Sequence, residues 1–128
     1  MLKLIIYLLT SPILEWGVHY LLHLMDNSFH NKHHIAVYIN KYNKFKQFED
    51  VEFWPLICII ICYKLNIMFC LITFTRYWIC HTFIHFTKNK NNYLVKHHYT
   101  HHKFKKYNYC VSAIWPDVLF NTKFIEQK

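Results

Sequence analysis

The stretch from His81 to His102, HTFIHFTKNKNNYLVKHHYTHH, carries six of the chain's eleven histidines, at positions 81, 85, 97, 98, 101 and 102. The other five, His19, His23, His30, His33 and His34, form one earlier cluster, and none is scattered elsewhere. Each cluster spells the same two phrases in the same order, H-x3-H and then H-x2-H-H. The first gives His19/His23 with His30/His33/His34, and the second His81/His85 with His98/His101/His102. Only His97 falls outside this pattern. Residues four apart on an α-helix share one face. An H-x3-H pair can therefore offer two imidazoles to one ion, and H-x2-H-H adds ligands from a following turn. Imidazole suits zinc, copper, iron and nickel. One such pair is a common coincidence, but the repeat of both phrases marks a metal site. The ligand spacing requires helices, so the stretch predicts an all-α fold in which two distant clusters meet.

The 128 residues fit a single domain. The chain is 54% hydrophobic and 20% aromatic, with one glycine and a formal charge of +8. Its lysines flank apolar runs and do not line a nucleic-acid fold, and zinc-finger Cys/His spacing is absent. A basic balance of that kind points to an anionic membrane surface and away from nucleic acid. Five cysteines, Cys58, Cys62, Cys70, Cys80 and Cys110, make an odd count without a secreted framework, which argues for small buried or lipid-facing thiols over disulfides.

Residues 2 to 25 read as one membrane helix, bent at Pro12, whose last turns leave the bilayer carrying His19 and His23. The polar break at 26–28 precedes the histidines at 30 to 34. Residues 38 to 50 are basic and aromatic, an interfacial connector. Glu49, Asp50 and Glu52 ahead of Trp54-Pro55 mark a helix start. The apolar run 53–80 constrains the topology. As a single helix it would cross a bilayer core of about 30 Å and put the two clusters on opposite sides. Lys64-Leu65-Asn66 interrupts it, so a hairpin is expected, about 53–63 inward and 67–80 back, re-entrant or shallow because both arms are short of the ~20 residues of a full span. Lys41, Lys44 and Lys46 before it, and Lys88, Lys90, Lys96, Lys103, Lys105 and Lys106 after it, place both flanks in the cytosol by the positive-inside rule. The tail, Tyr107 to Thr122, either caps the metal site or lies on the membrane surface.

EWGVHYLLH (15–23), HNKHH (30–34), HTFIHF (81–86), KHHYTHH (96–102) and the closing VSAIWPDVLFNT (111–122) together resemble the fatty acid hydroxylase superfamily. These are integral-membrane dimetal enzymes that include fatty acid and sphingolipid 2-hydroxylases, sterol C-4 methyl oxidases and sterol C-5 desaturases. The resemblance covers nearly the whole chain in the right order. It implies endoplasmic-reticulum membrane helices under a cytosolic, histidine-rich helical cap. It further implies two iron ions held by His19, His23, His30, His33, His34, His81, His85, His98, His101 and His102, O2 as oxidant, a cytochrome-type electron donor and a lipid substrate. Zinc in a purified sample would not contradict iron, since nitrogen ligands bind Zn2+ more tightly than Fe2+.

Glu15, Tyr77, His97 and Asp117 are the candidates for supporting those ligands from behind, with His97 assigned either there or to solvent. The chain departs from the family in being shorter, with fewer spans before the first histidine box. It also carries Trp78 where the 2-hydroxylase branch has an acidic residue, and Asn121 in place of a Gly-rich turn. The HTFIHF and KHHYTHH boxes lean toward fatty acid or sphingolipid 2-hydroxylation. The alternatives are a sterol desaturase or oxidase with the same centre, and a non-catalytic metal-binding membrane protein descended from such an enzyme.

Overall fold

A computed structural model describes residues 1–25, 28–39 and 66–126. These form five α-helices and no strand: α1 (Leu2–Leu24), α2 (Ser28–Tyr38), α3 (Ile67–Phe86), α4 (Tyr93–Lys103) and α5 (Trp115–Leu119). The all-α expectation therefore holds over the described residues. At about 1.5 Å per residue, α1 and α3 rise about 35 and 30 Å. Both are long and apolar enough to cross a membrane.

Many of their apolar side chains stand exposed. Leu2, Leu4, Ile5, Ile6, Leu8 and Leu9 of α1 are exposed, as are Ile67, Met68, Leu71, Ile79 and Phe83 of α3. Helix α1 continues through Pro12, whose missing N–H leaves the Leu8 carbonyl without its usual partner four residues on. Arg76, the chain's sole arginine, donates from Nη1 to that carbonyl at 2.7 Å, and Ser11 Oγ adds a longer bond at 3.3 Å. The guanidinium reaches on to the Ser112 carbonyl with Nη2 at 3.5 Å. One side chain thus ties α3 to α1 and to the closing segment.

α1 and α3 run in the same direction. Tyr7 meets Phe69 at the start of α3, with ring centroids 5.3 Å apart, while the C-terminal turns of both helices meet α2, through His23–His34 and His33–His81. Both H-x3-H pairs consequently sit at one end of the molecule. The inward hairpin arm at 53–63, the acidic helix start at 49–52 and nearly all of the 38–50 connector lie outside the described residues. The returning arm is longer than the expected 67–80: α3 is 20 residues and carries the third histidine box inside it. Nothing between Cys80 and Phe86 breaks a helix, and Thr87 opens the polar loop that does. The Asn66 side chain caps the start of α3 by accepting from Phe69 N, and Asn92 caps α4 by accepting from Leu94 N and Val95 N.

The apolar core is small, built on Ile84, Val95 and Val111 with Tyr77, Cys80, Leu94 and Tyr99 around it. Among the described residues, buried polar side chains outnumber buried apolar ones, and most of those polar residues are histidines. The tail takes the first of its two expected positions. Tyr109, Cys110 and Val111 are buried, and the segment folds back over the histidine end.

Candidate metal centre

Helix α1 brings His19 and His23, α2 brings His30, His33 and His34, α3 brings His81 and His85, and α4 brings His98, His101 and His102. Their ring nitrogens converge into two groups. One contains His19, His23, His30, His34 and His101, and the other His33, His85, His98 and His102, with the ligand atoms of each group within 4.8 Å of one another. His81 adjoins the second group, its Nε2 3.2 Å from Nε2 of His85. Each group is within range to hold a metal ion.

The groups do not follow the sequence clusters. His33 of the first cluster joins the second group, packing on His81, His85 and His102, while His101 of the second cluster joins the first. Helix geometry explains the crossing. Residues i and i+4 stand about 40° apart around the axis, but neighbours stand about 100° apart. His30 and His34 therefore stay together and His33 turns away. Likewise His98 and His102 stay together and His101 turns away. An adjacent His-His pair is a device for serving two neighbouring centres from one helix.

The spacing within the groups is that of ligands. Nε2 of His30 lies 2.9 Å from Nε2 of His19, 2.9 Å from that of His23 and 3.1 Å from that of His34. Nε2 of His23 is 3.1 Å from that of His101. In the second group His98 Nε2 lies 3.1 Å from His85 Nε2 and 2.9 Å from His102 Nε2. An imidazole nitrogen has one hydrogen or one lone pair, so it cannot hydrogen-bond three others at once. Around one cation with bonds of about 2.0–2.1 Å, nitrogens at right angles stand about 2.9 Å apart, and at tetrahedral angles about 3.4 Å. The separations just given fall in that interval, and all the ligand atoms of each group lie within 4.8 Å of one another, so the donor sets are consistent with a metal ion in each group.

The rings are held in the ligand form. Burial first, and the neighbouring imidazoles second, keep His30, His33, His98, His101 and His102 well below the ordinary histidine range, and hold His34 down to about 2. Neutral imidazoles present lone pairs. For two rings the tautomer is fixed as well: His19 Nδ1 donates to the Tyr109 carbonyl at 2.5 Å and His101 Nδ1 to the Tyr107 carbonyl at 2.7 Å, which leaves each Nε2 free to bind.

The four supporting candidates occupy different places. Tyr77 stacks on the ring of His81, centroids 5.2 Å apart and planes 17° from parallel. Among the described residues Glu15 hydrogen-bonds the closing segment and no histidine ligand. Its buried carboxylate accepts from the backbone N–H groups of Val111 and Ser112 and from the Ser112 hydroxyl, pinning α1 to the closing segment. Asp117, fully buried, receives the His97 imidazole at 3.0 Å, so His97 is not at the solvent. Asn121 has φ 55°, the left-handed backbone that a Gly-rich turn would supply, and asparagine is the side-chain-bearing residue that best tolerates it. Sequence reasoning missed the Tyr107 and Tyr109 carbonyls, which carry no side-chain signal, and Arg76, whose rarity inside an apolar run was a readable sign. Comparison of the chain with protein-family models, with curated proteins and with solved structures gave no match.

Proposed function

We propose that this protein is an O2-dependent lipid hydroxylase of the fatty acid hydroxylase type, set in the endoplasmic-reticulum membrane with its histidine end in the cytosol. The observation that carries the reading is the meeting of ten imidazoles from two sequence clusters as two adjacent ligand groups at one end of two membrane-length helices. The exposed apolar faces of α1 and α3 suit lipid, because uncovered apolar surface of that extent is otherwise a liability in water. The lysines at 88, 90, 96, 103, 105 and 106 flank the histidine end, the pattern expected of a cytosolic face. In this reading 1–128 acts as one domain and needs a lipid chain, a cytochrome-type electron donor and no nucleic acid.

Two iron ions, when bound, supply the activation of O2 that an unreactive C–H bond requires. The chain's own contribution is positional. The imidazoles are held neutral and aimed by α1 to α4, the closing segment covers the site, and His19 and His101 keep their Nδ1 protons on backbone carbonyls. All ten ligands are uncharged, so the cations stay uncompensated by protein and the site favours an anionic oxygen species. The reaction balances as R–H with O2, two electrons and two protons giving R–OH and water.

The test is expression in iron-supplied cells, elemental analysis of the detergent-purified chain, and lipid mass spectrometry under 18O2. Two ions per chain and a lipid gaining one labelled oxygen are the expected result. A product lacking two hydrogens would make it a desaturase. Bound metal without any O2-dependent product would make it a binding protein.

A further inference from the structure

The two histidine groups, one of five rings and one of four with His81 adjoining it, differ in what stands behind them. In the first, His19 and His101 are braced by the Tyr109 and Tyr107 carbonyls. In the second, Nδ1 of His81, His98 and His102 is buried and bonds no protein group among the described residues. The two bracing carbonyls have a common origin. A trans peptide points its C=O and the following N–H in opposite directions. The Cys110 N–H donates to Asp117 Oδ2 at 2.9 Å, which turns the Tyr109 carbonyl of the same peptide away, onto His19. The Asn108 N–H donates to the Thr122 carbonyl at 2.8 Å, which turns the Tyr107 carbonyl onto His101.

Thr122 is itself fastened to Asp117, through its hydroxyl to Oδ1 at 2.7 Å and through its N–H to the Asp117 carbonyl at 2.8 Å. Asp117 Oδ1 also accepts from Tyr109 N at 2.8 Å, and Oδ2 from His97 Nε2 at 3.0 Å. Asn108, at φ 57°, completes the frame by donating from Nδ2 to the His97 carbonyl at 3.1 Å. One buried carboxylate therefore aims the Tyr107 and Tyr109 carbonyls, and both of these serve the same group.

We propose that the two metal positions are unequal: the group of His19, His23, His30, His34 and His101 retains its ion, the group of His33, His81, His85, His98 and His102 exchanges its ion, and Asp117 is the positioning residue that makes the difference. Groups that hold a ligating histidine from behind typically change metal affinity 10–100-fold when removed. The inference rests on the proposed function only in that both groups bind metal. It requires no oxygen chemistry.

The experiment loads the full detergent-purified chain with Zn2+ and follows its release to a chromogenic chelator. Two ions leaving in two phases are expected, with His23→Ala removing the slow phase and His85→Ala the fast one. Asp117→Asn should speed the slow phase about 10–100-fold and leave the fast phase in place. Thr122→Val, which removes one hydroxyl from the same frame, should speed the slow phase by a smaller factor. A single phase, a slow phase that disappears with His85→Ala, or equal acceleration of both phases by Asp117→Asn overturns the proposal while leaving a dimetal protein. If Asp117→Asn does not fold, the assignment of phases by the two histidine variants and the Thr122→Val rate still decide the matter. A chain that binds no zinc overturns this inference and the proposed function together.

Discussion

The far half of the α1–α3 pair and its histidine half are built on opposite principles. At the far end, Leu4, Ile5, Ile6, Leu8 and Leu9 of α1 and Ile67, Met68 and Leu71 of α3 present apolar side chains outward, and Cys70 is the one residue of these two stretches that is buried. At the other end, Ile84, Val95 and Val111 make only a small apolar core, and the bulk of the interior is imidazole, carboxylate and hydroxyl. Hydrophobic burial cannot hold such an interior together, because buried polar groups destabilise unless each finds a partner. On the proposed function the partners are metal ions for the ten ligand rings, and backbone N–H groups for Glu15 and Asp117. The lesson is that one half depends on its surroundings and the other on its ligands.

That contrast can be broken most decisively at the crossing histidines. His101→Ala should lower metal content from about two ions to about one and abolish product, and adding His23→Ala should cost no further ion because both belong to the first group. Combining His101→Ala with His85→Ala should empty both groups. If the pairing followed the sequence clusters instead, the second combination would behave like a single variant, and elemental analysis distinguishes the two patterns. His97→Ala should leave both ions in place at neutral pH.

Acid should act on the histidine half alone. An unfolded chain takes protons on histidine near pH 6.5, whereas in the folded chain His34 holds out to about 2 and its buried neighbours are also lowered. Because the native pKa values are depressed, the unfolded state binds more protons. The stability from these rings is complete above about pH 6.5 and is lost progressively as pH falls below it. Metal retention should decline over the same range, since protons compete for the same nitrogens. Retention that is flat down to about pH 4 would contradict this.

Between the halves lies Arg76. Arg76→Leu leaves the Leu8 carbonyl only the longer Ser11 bond and should cost about 1 kcal/mol, read as a lower melting midpoint in detergent. Pro12→Ala restores an N–H to that carbonyl, so the arginine substitution should cost less in its presence, a coupling that a double-mutant cycle measures. The smallest effect belongs to the far half. Leu9→Ala removes an uncovered side chain and should shift stability by no more than about 0.5 kcal/mol.

The repeated H-x3-H and H-x2-H-H spacing fixes which rings share a helix face, because that follows from about 100° per residue and nothing else. The apolar runs identified α1 as a membrane-length helix but set the returning arm at 67–80, short of a span; α3 reaches membrane length by running on to Phe86, because the chain offers no stop before Thr87. Even the divergence of His33 from His34 is implicit in that rotation. What the sequence could not state is where the diverging ring goes. Sending His33 to the second group and His101 to the first depends on how α2 and α4 pack on each other and against the histidine ends of α1 and α3, a matter of relative helix placement over long separations in the chain. The bracing of His19 by the Tyr109 carbonyl spans 90 residues and uses backbone atoms, which every residue type carries alike. Local periodicity therefore determined the ligands, and only tertiary packing decided their partition between two centres and which centre is braced.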